Sequence, residues 1–180
     1  KITHARLLEH YLKSYGMHVI YVYMRGLGRT FFSLPILALS RLLGITKTRI
    51  LKNGKKVSEY PFYAYKPFRL LWPWLQLIDS IIYSLLLLLF PSRLYDTIIL
   101  DRSVIDTLVD TITITKLSSV KIEFFRKLFL SLLPTNSIVI ILDVQEEVAM
   151  RRKKDIPSIQ YLVSRRKIYK EFARVYGWYI

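Results

Sequence analysis

Apolar and polar positions follow two rhythms along this chain. In "THARLLEHYLKSY" (3–15), Ala5, Leu7, Leu8, Tyr11 and Leu12 fall on one helical face, and Gly16 follows where a helix usually ends. "MHVIYVYM" (17–24) is continuously apolar and rich in β-formers, which predicts a strand. It runs into the loop "RGLGRT", apolar helical pieces to about Leu43, and a turn with a basic tip at "KNGKK" (52–56). An apolar helix around 68–90 is closed by Pro91. The strand "DTIILD" (96–101) comes next, then a helix from about Val104 and another over 117–133, ended by Pro134. "SIVIILD" (137–143) predicts a second apolar strand finishing on an aspartate, and "EEVAMRRKK" opens a short helix. From Pro157 onward, Ile159, Leu162, Val163, Tyr169, Ala173 and Tyr176 recur at helical spacing, and "GWYI" reads as the start of a further strand.

Strands that alternate with helices and are apolar throughout predict an α/β fold, its parallel sheet covered on both faces. No repeat, low-complexity tract or boundary divides the chain, so residues 1–180 form a single domain, long enough to bury a core without staples. The apolar stretch 70–90 reaches the length of a membrane span, but Asp79 near its middle, with Pro73 and Gln76, favours a helix buried in protein. The first twenty residues lack the apolar core of a signal peptide, and the expectation is a cytoplasmic protein without a membrane span.

Composition narrows the chemistry. With no cysteine, disulfides and thiolate metal sites are excluded, and His4, His10 and His18 lack zinc-site spacing. A net charge of +15 points to a polyanionic partner (nucleic acid, a phosphorylated small molecule or an anionic membrane), the alternative being a solvated basic surface with no partner. Only two Asn and three Gln occur, a thermophile-like usage.

In a parallel sheet ligands sit outside the carboxyl ends of the strands. Asp101, Asp143 and Arg25 all lie at such ends. An acid behind an apolar strand can hold Mg²⁺ directly or through water, and Arg102 beside it offers a planar fork to phosphate oxygens. "KIT" ahead of the first helix has the form of the end of a phosphate-binding loop, G-x-x-x-x-G-K-[ST]. Arg151, Arg152, Lys153 and Lys154, with Arg165 and Arg166 further on, suit a basic flap over a transferring phosphoryl group.

Taken together, "THARLLEHYLKSYG" with the strand after it, "DRSVIDTLVD", and "LDVQEEVAMRRKKD" with "YLVSRRKIYKEFARVYG" resemble the thymidylate kinase family of nucleoside monophosphate kinases over most of the chain. The resemblance implies a three-layer α/β/α fold of the P-loop nucleoside triphosphate hydrolase type, with a five-stranded parallel sheet and a lid at about 151–160. It implies phosphoryl transfer from ATP, with Mg²⁺, to a deoxynucleoside monophosphate, dTMP foremost, by a homodimer packed through helices and without nucleic acid as partner. Lys1, Asp101, Arg102, Arg151 and Arg152 would be catalytic. Arg25, Arg102, Asp79 and Tyr169 would bind the acceptor. Lys1, Ile2, Thr3 and Arg152 would bind ATP, and Thr3 and Asp101 would hold the metal. Ile2 stands where the family has the loop hydroxyl, with Thr3 one place later, and Ser80 follows Asp79 where the family has arginine. The family's first strand and glycine loop are missing, so the expectation is a trimmed form of a longer protein. A deoxynucleoside kinase, whose family also uses an acid–Arg–Ser triplet such as Asp101–Arg102–Ser103, and a non-catalytic basic nucleic-acid-binding module are the alternatives.

Overall fold

The computed structural model describes all residues except 1–2, 25–30, 51–53, 55, 90 and 153–157. Helices make up most of the described residues. Helix α1 (His4–Ser14) leads into strand β1 (Val19–Tyr23). Helix α2 (Ser33–Leu42), the strands β2 (Lys47–Ile50) and β3 (Lys56–Glu59), and the 24-residue helix α3 (Lys66–Leu89) follow. Strand β4 (Thr97–Asp101) then precedes helices α4 (Val104–Thr115), α5 (Ser119–Leu130), α6 (Glu146–Arg152) and α7 (Ile159–Tyr176).

The expected five-stranded parallel sheet is not formed. The four strands make two separate pairs, β1 with β4 in parallel and β2 with β3 in antiparallel. The run 137–143 is not a strand either. It makes one parallel bridge, Ile140 to Tyr179, in which the "GWYI" segment takes part. The physical reason is visible in its side chains: Val139 packs on the main core, whereas Ile138, Ile140 and Leu142 point outward and stay exposed. A strand apolar on both faces is stable only where both are covered. Here one face is, and helix packing supplies the burial that a wide sheet was expected to provide.

At the centre of that packing lies α4. Ser103 caps it in a reciprocal box with Asp106, and Val104, Ile105, Leu108, Val109 and Ile112 are buried together with Thr107, Thr111 and Thr115. A helix buried nearly all round belongs inside a bundle. Leu77 of α3, Phe125 and Phe129 of α5 and Phe172 of α7 close on it. A second, smaller core of Leu37, Ile45, Phe62, Phe68 and Trp72 joins α2, the segment after β3 and the start of α3. The hairpin β2–β3 turns at Gly54, whose φ of +75° lies in the left-handed region that suits glycine.

Long and apolar, α3 could by length and composition cross a membrane. Its inner face is polar, however: Gln76, Asp79, Ser80 and Ser84 are all buried within the domain. That face is committed to protein contacts, with α2 through Asp79 and Gln76 and with α4 across the helix pair.

Candidate functional site

The parallel pairing of β1 with β4 sets Tyr23 beside Asp101, so both strands end at one place. The Tyr21 hydroxyl donates to Asp101 Oδ2 at 2.6 Å. That bond, reinforced by burial and by the charge of Asp101, pushes the Tyr21 phenol up, while the neighbouring Thr3 side chain and the charge of Arg6 offset it in part. Thr3 is also the N-cap of α1, its hydroxyl accepting from Arg6 N at 3.3 Å. The N-terminus of α1 and the end of β4 therefore meet across one tyrosine. The Arg6 guanidinium lies 3.7 Å over the Tyr21 ring and fixes it further.

Immediately after Asp101 the backbone turns sharply. Arg102 has a φ of +71°, a left-handed conformation that costs a side-chain-bearing residue roughly 1–2 kcal/mol. The turn aims its side chain back along α4, where Nη1 donates to Asp106 Oδ1 at 3.3 Å. About a third of the Arg102 side chain stays open to solvent, at 35%. Burial alone would lower the guanidinium pKa, but the Asp106 charge, followed by Tyr169, Tyr23 and Tyr161, holds it above its ordinary value.

Asp106 also accepts from Ser103 N at 2.9 Å and from the Tyr169 hydroxyl at 2.7 Å. Opposite it, α7 carries Tyr161, Arg165 and Tyr169 four residues apart, hence on one face. Buried Arg165 donates to the Tyr161 hydroxyl at 3.1 Å and the Tyr169 hydroxyl at 3.2 Å, and pairs with Asp110 of α4. Each tyrosine thus accepts from Arg165 and donates onward, Tyr161 to Asp110 at 3.4 Å and Tyr169 to Asp106. Burial, with the Asp106 charge adding, raises both phenols and keeps them protonated hydrogen-bond donors.

A second cluster occupies the other flank of α7. Arg166 grips Asp143 through Nε and Nη2 at 2.6 and 2.7 Å and reaches Glu146 at 2.9 Å, and Lys170 adds a contact to Asp143 at 3.1 Å. The guanidinium holds the Asp143 carboxyl well below the usual carboxylate range. These groups, with Ile141, Val144 and Leu162, line a cavity of about 150 Å³ that Arg165 and Tyr169 also border.

The residues expected to act together are therefore only partly assembled. Thr3 and Asp101 share a tyrosine, and Arg102 and Tyr169 share Asp106. Arg151 and Arg152 sit exposed on α6 without ion pairs among the described residues, and Lys1, Ile2 and Arg25, like Lys153 and Lys154, lie outside those residues. Asp79 does something else. At 1% exposure it accepts from Phe32 N and Ser33 N at 3.1 Å each and from the Ser33 hydroxyl, capping α2 from a neighbouring helix. Among the described residues no hydrogen bond or ion pair joins it to the Asp101–Arg102 group. Sequence reasoning missed Tyr21 and Tyr161. The signal for Tyr161 was present, in the four-residue spacing 161–165–169 facing the four-residue spacing 106–110.

Among the described residues no group of three His, Asp or Glu could cage a metal by itself. Mg²⁺ bound with a nucleotide is held mainly by phosphate and water, so it needs only one or two protein oxygens. No protein-family model matches the chain, and no curated protein matches it either.

Proposed function

We propose that the protein is a phosphotransferase that binds a deoxynucleoside monophosphate, dTMP foremost, and transfers to it the γ-phosphoryl of Mg²⁺-ATP. The observation that carries this reading is the junction of the α1 N-terminus with the end of β4. Thr3 and Asp101 meet there across Tyr21, and Arg102 follows in a left-handed backbone. Helix N-termini favour anions, an acid at a strand end suits Mg²⁺-phosphate, and a guanidinium beside it suits a monophosphate. Arg102 would hold the acceptor's phosphate, and Tyr169, through Asp106, would fix the angle of that guanidinium. Thr3 and Asp101 would hold Mg²⁺ with ATP, and Arg151 and Arg152 would neutralise the transferring group from α6. Catalysis in such a site is positioning and charge neutralisation, with no covalent intermediate.

Calorimetric titration of the chain with dTMP, thymidine and inorganic phosphate tests the acceptor half without ATP. Binding of dTMP that falls at least tenfold in Arg102→Ala is expected. Equal binding of thymidine and dTMP would point to a deoxynucleoside kinase, and no binding of any nucleotide, with no diphosphate formed in a coupled ATP assay, would remove the proposal.

A second copy of the chain is proposed to pack on the outer face of α3. Leu71, Trp74, Ile78, Ile81 and Leu85 are exposed there at alternating spacings of three and four, the pattern of a helix–helix seam. Trp74 lies edge-on to Phe124 of α5, so the apolar face continues onto a second helix. Sedimentation should show a dimer that Ile78→Glu converts to monomer, and a monomeric parent would refute the seam.

A further inference from the structure

We infer that α2 and the β2–β3 ribbon form a docking surface for an anionic lipid bilayer, separate from the nucleotide site. Helix α2 is apolar, yet only a narrow stripe of it, Ser33, Leu37 and Ser40, is buried. Around the rest of its surface and at its ends, Phe31, Phe32, Leu34, Leu39, Leu42 and Leu43 face outward, with Leu42 85% and Phe31 72% exposed. Ile50, at the end of β2, is 70% exposed. Isolated exposed aliphatics need no explanation, but a helix that turns most of its apolar circumference outward does.

The same unit is strongly basic. From Phe31 to Trp72 the sequence has eight Lys or Arg against one acid, Glu59, which accounts for seven of the net fifteen charges. Of these cations Lys56, Lys66 and Arg69 are exposed and form no ion pair among the described residues. Arg41, on α2, donates to the Tyr60 hydroxyl after β3, and Ser40 bonds to Thr46 before β2. Helix, ribbon and the start of α3 are therefore one unit around their shared small core.

The pairing of chemistries selects the partner. A nucleic acid would use the cations and can stack bases on Phe31 and Phe32, but it leaves Leu34, Leu39, Leu42 and Leu43 uncovered. A second copy would cover the leucines but bring two strongly positive surfaces together. An anionic membrane satisfies both: apolar side chains enter the headgroup–acyl boundary while lysines and arginines stay among the phosphates. The buried polar face of α3 keeps that helix in the domain, so the association is peripheral.

Co-sedimentation with vesicles tests this directly and needs no nucleotide, so its outcome is independent of the kinase assay. The chain should bind phosphatidylcholine vesicles containing phosphatidylglycerol at least tenfold more tightly than phosphatidylcholine alone. Lys66→Gln and Arg69→Gln should weaken binding about fivefold each, because an interfacial cation contributes ~1 kcal/mol. Leu42→Ser with Leu43→Ser should weaken it at least tenfold, while circular dichroism shows an unchanged fold. Equal binding to neutral and anionic vesicles, or none, would overturn the inference. So would vesicle binding indifferent to the leucine pair, or a thymidine oligonucleotide bound more tightly than the vesicles. Loss of self-association in the leucine variant with vesicle binding intact would assign the surface to a second copy instead.

Discussion

The seam between α4 and α7 and the unit of α2 with the β2–β3 ribbon are built from similar residues and use them in opposite ways. In the seam, Arg102 and Arg165 are matched by Asp106 and Asp110, and two tyrosines relay hydrogen bonds between them. In the α2 unit, cations outnumber the single acid eight to one and aliphatic side chains face solvent. An interior arginine is tolerable only when its charge is answered, whereas a surface arginine can wait for a ligand. The contrast also separates the two proposed partners. A small nucleotide needs a few groups held at fixed angles, and a membrane needs many groups held loosely over a wide face.

The largest expected effect that would sharpen this contrast comes from the core beneath the seam. Phe129→Ala removes a fully buried ring packed on α4 and should cost roughly 3–5 kcal/mol in denaturant unfolding, while Leu42→Ala on α2 should stay within about 0.5 kcal/mol. If Leu42→Ala cost as much, the outward face of α2 would be structural and the comparison would break. Next is Asp79→Ala, which strands two backbone N–H groups at the start of α2 and should cost about 1–3 kcal/mol, seen as a lowered melting temperature. Unchanged stability there would mean that α2 is not held by its cap.

Smaller, but more telling about the site, is Arg102→Gly. Glycine accepts the +71° backbone freely, which offsets the lost part-buried pair with Asp106, so the variant should stay within about 1 kcal/mol of the parent and yet lose dTMP binding. A variant destabilised by more than that would show that Arg102 is there for the fold. The smallest effect is in acid. Asp143 is held below its ordinary pKa by Arg166, and more weakly by Lys170, so its contribution is complete above the unfolded value near 4 and fades as pH falls from there. Asp143→Asn should flatten the acid limb of the stability profile, and an unchanged limb would mean that the clasp on α7 adds nothing.

Much of this was legible because it is local. The helix at 4–14 follows from its apolar spacing and the glycine after it, and β4 from its apolar run, with a helix starting at about Val104 behind it. Asp101 and Arg102 stood out because charged groups at the end of an apolar run are conspicuous, whereas Thr3 and Tyr169 entered as site residues only through the family resemblance. The hairpin β2–β3 was missed apart from its turn. Its strands are short and mostly polar, and pairing across Lys47–Glu59, not periodicity, makes them strands.

The sequence by itself determined where the chain is helical, where it turns, and that its surface is strongly positive, because these depend on residues within a few positions of each other or on composition alone. Only the tertiary structure decided how the apolar runs are used. Residues 137–143 have the composition of a strand but form one bridge, because strand pairing needs edges that other segments supply. Asp79, which the family resemblance cast as an acceptor-binding residue, is occupied by the backbone of α2, forty-six residues from Ser33 in sequence but within a hydrogen bond in space. A carboxylate takes its role from whichever donors the fold brings to it, and those come from elements that lie far apart in sequence.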